Sequence, residues 1–66
     1  MFTVKCDKAT GEGGKIKRIA SRYKAAWYIE DEDSDCVVMN VTEYPPAHAD
    51  AIEEAIDAVT SSWTRW

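Results

Sequence analysis

The sequence predicts an α+β domain of ββαβα order: a three-stranded antiparallel sheet with two helices on one of its faces. Three observations predict it. Phe2, Val4 and Cys6 alternate with Thr3, Lys5 and Asp7; residues 36–42 form a run rich in β-branched side chains; and Ile52, Ala55, Ile56, Val59 and Trp63 recur at helical spacing. The 66 residues make one domain, 1–66, in a size range where folding buries only about 60% of the chain's surface.

Each element has its own justification. Residues 2–8 carry the period-2 alternation of a half-buried strand. Thr10-Gly11-Glu12-Gly13-Gly14 places three glycines in five residues, which suits a turn and makes a poor helix start. Lys15-Ile16-Lys17-Arg18-Ile19-Ala20 then completes a hairpin, and Ser21 caps a short helix from Arg22 that buries Ala25, Ala26 and Ile29. The alternative is βαββα with residues 15–27 helical, since Ile16, Ile19, Ala20, Tyr23 and Trp27 also fit one helix stripe. Cys36 to Thr42 is the clearest strand, with Val37, Met39 and Val41 on one face. Pro45 and Pro46 end it and preset a final helix, where Asp50 and Glu53 have the form of a capping box.

Charge is arranged more tellingly than it is totalled. Residues 1–24 hold seven cations and two carboxylates, net +5, whereas residues 25–66 hold one cation and ten carboxylates, net −9. Five of those carboxylates, Glu30, Asp31, Glu32, Asp33 and Asp35, fall within six residues. Such a block repels itself unless water, an ion or a basic partner receives it. On the last helix Asp50, Glu53, Glu54 and Asp57 make like-charge i, i+4 pairs, where a purely structural surface helix ordinarily mixes signs; the face is either an acidic solubilising one or a surface presented to a basic partner. These nine residues, with Trp66 as an aromatic anchor, are the expected partner-binding set, and the expected partner is a basic protein or protein complex.

Other chemistries find little support in the residues. Asp31, Asp33 and Asp35 begin like a calcium loop, but Cys36 stands where the turn needs glycine and Thr42 where it needs glutamate. His48 is the single histidine, the two cysteines have no partners at metal-ligand spacing, and no serine sits in a Gly-x-Ser-x-Gly context. The expectation is a non-enzymatic protein with no catalytic residue, cofactor or metal. No apolar run reaches the roughly 20 residues of a membrane span and no signal-peptide order opens the chain, so a cytoplasmic protein with reduced cysteines and no membrane partner is expected. The cations of the first third offer a second reading, a small nucleic-acid-binding or regulatory module. The strongly acidic remainder disfavours direct nucleic-acid binding.

In its shortness, acidity, α+β character and lack of catalytic motifs the chain resembles small phage-encoded inhibitors, in particular anti-CRISPR proteins that act on multi-subunit surveillance complexes. The resemblance covers the whole chain and lies in overall character. It implies a stoichiometric inhibitor in the cytoplasm of a bacterial host cell, one that occupies a basic DNA-binding or subunit surface, in some members as a DNA mimic. The basic first third departs from uniform mimicry.

Overall fold

The alternating first strand becomes the middle of the molecule. In the computed structural model, which describes all 66 residues, the order is β1 (Phe2–Asp7), α1 (Glu12–Arg22), β2 (Ala26–Glu32), β3 (Cys36–Thr42), a 3-10 turn (Pro46–His48), α2 (Ala49–Asp57) and β4 (Trp63–Arg65). The strands form one antiparallel sheet in the order β2-β3-β1-β4. This is the split β-α-β arrangement of ferredoxin-like topology, in which β1 and β3 lie inside and β2 and β4 form the edges.

The register puts the apolar residues of the two inner strands on one face: Phe2 opposes Val41, Val4 opposes Met39 and Cys6 opposes Val37. All six are buried, and Ile16, Ile19 and Ala20 of α1 with Ile52 and Ile56 of α2 cover them in a core of eleven residues. The α+β class and the two helices agree with the sequence reading, but the sheet has four strands rather than three.

The missing strand and the misread helix have physical causes. Residues 15–20 belong to α1, not to a hairpin, and the turn before them ends at Gly11, whose φ of 68° is the left-handed conformation glycine takes without strain. Gly13 lies inside the helix because α1 crosses the sheet closely there: a Cβ on it would stand 3.3 Å from Val37 Cγ1. The helix stripe is real over Ile16, Ile19 and Ala20 but ends at Arg22, short of the alternative's residue 27. Ala25 N–H then reaches the Ala20 carbonyl at 2.8 Å and Lys24 N–H that of Ser21 at 3.3 Å, a Schellman closure with Lys24 at φ 58°. The expected helix from Arg22 is therefore replaced by β2, which carries the chain into the acidic block as a strand.

β3 has the bounds the sequence gives it. In α2 the apolar face is also as read, with Ile52 and Ile56 fully buried, but no side chain caps the helix and the Asp50–Glu53 box does not form. Val59 and Trp63, read into the same stripe, lie beyond the end of the helix at Asp57, and Trp63 opens β4, where its ring meets Phe2 edge-on at 6.2 Å.

Candidate functional site

The acidic block folds into the end of the β2–β3 hairpin. Backbone donors relieve part of its self-repulsion: Asp33 Oδ1 accepts the N–H of Cys36 at 2.7 Å and of Asp35 at 2.8 Å, which closes the turn. Those two bonds hold the Asp33 carboxyl below the usual carboxylate range. Asp31 Oδ1 accepts the N–H of Glu32 at 2.9 Å, and Glu30 Oε1 accepts from Asn40 Nδ2 at 3.2 Å. One ion pair serves the whole block, Lys8 Nζ to Glu32 Oε2 at 2.7 Å. The calcium-like spacing is thus used up by a strand and a turn, and no three ligating side chains converge there.

The hairpin end continues directly into an exposed apolar strip. Trp27, Tyr28 and Ile29 are 40%, 49% and 44% exposed, and the outer edge of β2 pairs with no strand. Trp27 and Ile29 share the helix side of the sheet, where Lys17 Nζ stands 4.8 Å from the Trp27 ring centre. A register shift between Ile29 and Asp31 makes Glu30 a bulge, so the regular part of the strand is Ala26–Ile29.

The acidic helix lies at the other edge, with different contacts. Arg65 Nη1 bridges Glu53 at 3.0 Å and Asp50 at 3.2 Å, and Trp63 Nε1 donates to Asp57 Oδ1 at 3.0 Å. Three of the four expected binding carboxylates of α2 therefore fasten β4 to the helix. Glu54 is exposed on another side, beside Tyr23 and Ala58. The two acidic segments do not form one surface, because β3 and β1 stand between their edges. Trp66 is 73% exposed, and its indole N–H is bound to Thr3 Oγ1 at 2.8 Å.

That last bond begins a relay over the face of the sheet away from the helices. Thr3 Oγ1 donates to Asn40 Oδ1 at 2.6 Å and Asn40 passes on to Glu30, so one line of hydrogen bonds runs from the β4 end to β2. It accounts for the fully buried Asn40.

The cations read as a hairpin patch lie mostly along α1. Lys15, Lys17, Arg18 and Arg22, with Lys24 just after them, make no ion pair within the molecule. Lys15, Arg18 and Arg22 rim a shallow groove of about 290 Å³ floored by Ile19, Ala55 and Val59. His48 bonds the Tyr23 carbonyl through Nδ1 at 3.0 Å, so Nδ1 carries the proton, and the ring ties the end of α1 to the start of α2. Both cysteines are free; Cys6 lies under the helices, where burial pushes its thiol up to about 11.

Sequence reasoning missed Arg65 and the edge position of Trp27–Ile29. The first is visible only once β4 docks beside α2. The second had a signal, three consecutive large strand-forming residues, that the neighbouring carboxylates obscured. Compared with known proteins, the chain matches no family model, no curated protein and no solved structure.

Proposed function

We propose that the protein is a non-enzymatic, stoichiometric inhibitor that sets the acidic end of its β2–β3 hairpin against a basic macromolecular surface, such as the DNA-binding face of a CRISPR surveillance complex. One observation carries this reading: five clustered carboxylates have a single intramolecular ion pair and adjoin an exposed apolar strip. An apolar centre with a charged rim is the common anatomy of a protein interface. The helix carboxylates Asp50, Glu53 and Asp57 drop out of the contact because β4 already engages them. Charge of this density would speed encounter with a basic partner and exclude acidic ones.

A second reading rests on the unpaired cations of α1, which suit a phosphate backbone. Two assays separate the readings. Affinity capture from a bacterial lysate, repeated with Asp31, Asp33 and Asp35 changed to Asn, should lose a basic protein that duplex DNA also displaces. Capture that survives neutralisation defeats the proposal. Salt-sensitive binding of the pure protein to free DNA, lost in Lys17→Ala with Arg18→Ala, would establish the second reading instead.

A further inference from the structure

We propose that a second copy of this chain pairs with β2, edge to edge and antiparallel about a two-fold axis near Tyr28, to make a continuous eight-stranded sheet across a homodimer. The inference does not rest on the function proposed above, but it places a second copy on the strip Trp27–Ile29 that the basic partner would also use, so the two occupants compete there.

The outer edge of β2 lacks the usual guards. Sheet edges are usually blunted by charge, proline, a bulge, shortness or a cover. β4 is three residues long and is held to α2 through Arg65. The bulge at Glu30 and the carboxylates after it blunt the far half of β2. Ala26–Ile29 carries no charge, proline or bulge of its own, exposes three large apolar side chains and leaves one side of its backbone without a strand. Such a segment is a ready template for strand addition.

Charge selects the occupant. β2 is electrically polar along its length: it begins just after Arg22 and Lys24 and ends in Glu30, Asp31 and Glu32, with Asp33 following in the turn. Antiparallel pairing centred on Tyr28 sets Trp27 against Ile29 of the other copy and brings each Lys24 alongside the other copy's Asp31–Asp33 run. A two-fold operation makes this match twice, which an isologous interface requires. Lys24 also holds a left-handed backbone conformation in which glycine would be less strained, so the position carries a long cation against its backbone preference. It has no ion pair within its own molecule.

Sedimentation velocity from micromolar to millimolar concentration tests the proposal, with amide hydrogen exchange to locate the contact. The expected result is a monomer–dimer equilibrium in which protection rises at residues 26–29 as dimer forms. Ile29→Lys should abolish it while leaving the far-UV spectrum unchanged. Lys24→Glu should raise the dimer Kd about tenfold or more, since like charges then face each other at both ends. An equimolar mixture of Lys24→Glu protein with Asp31→Lys/Glu32→Lys protein should recover association as a heterodimer. A monomer at every concentration overturns the proposal, as does an open-ended series of oligomers, or a dimer that protects β4 or α1 instead. Protection of residues 26–29 that appears only when a basic protein is added, without self-association, likewise removes the second copy and leaves the strand to that partner.

Discussion

The two edges of the sheet solve the same problem in opposite ways. At β4 the chain has three strand residues, and two of their side chains are engaged: Arg65 lies 5.6 Å over the Phe2 ring while bonding Asp50 and Glu53, and Trp63 bonds Asp57. At β2 the strand is seven residues long, yet its three largest apolar side chains face water and most of its neighbouring charge is unanswered. Similar acidic content therefore means different things at the two places. Carboxylates with a cation in reach are structural fasteners; those beside the bare apolar edge have a single intramolecular ion pair among them.

The largest expected effect lies under the closed edge. Phe2→Ala removes a fully buried ring that touches Tyr44 and Trp63, and should cost about 3–5 kcal/mol by urea denaturation. Ile29→Ala on the open edge should change stability by less than about 1 kcal/mol, although the side chain is of comparable apolarity. Equal midpoints for the two variants would erase the contrast between the edges. Arg65→Ala comes next: it strands Asp50 and Glu53 side by side, so the melting temperature should fall, and added salt should recover part of the loss. A melt insensitive to both the substitution and salt would mean that the β1 ladder and Trp63 hold β4 without help from Arg65.

Two titrations sharpen the comparison further. The raised Cys6 thiol leaves stability intact below its ordinary value of about 8.5, and stability should decline as pH rises from there toward about 11. Cys6→Val should flatten that alkaline limb, and native protein should alkylate at Cys36 well before Cys6. The smallest effect belongs to the hairpin end. Because Asp33 is held below the usual range, its contribution is present above about pH 4 and is lost as pH falls through the lowered value. Asp33→Asn should flatten the acid limb of the stability profile slightly; an unchanged limb would show that the turn does not depend on that carboxylate's charge.

What the sequence disclosed follows from how local each signal is. β3 could be read to its exact bounds because alternation and β-branching lie within seven residues, and the core face of α2 over Ile52, Ala55 and Ile56 because helical spacing holds that far, although it runs on in the sequence past the end of the helix. α1 was obscured by Gly13, a residue chosen for its closeness to Val37, which is a tertiary fact. β2 was obscured by its own carboxylates: like charge argues against a strand until the ladder to β3 and the Asp33 turn bonds are counted. β4 is too short to show any period, and without it the acidity of α2 reads as binding surface rather than as the socket for Arg65. Of the candidate residues, the hairpin group was legible as a cluster, whereas the separation of that cluster from α2 is a property of strand order.

The position of β1 has a consequence for the order in which the molecule assembles. Phe2 pairs with Val41 on one side and with Arg65 on the other, so the strand made first waits for partners made about 40 and 60 residues later. Contacts of such long range close large loops before they yield any stabilisation, which slows folding. Until β4 arrives, a chain emerging during synthesis has bare edges on both sides of its sheet, and β1 would present Phe2 and Val4 next to one of them. Arg65 and Trp63 thus close one side of β1 only after β3 has paired with the other, and any lag before they do is an interval in which that side of β1 is open to mispairing.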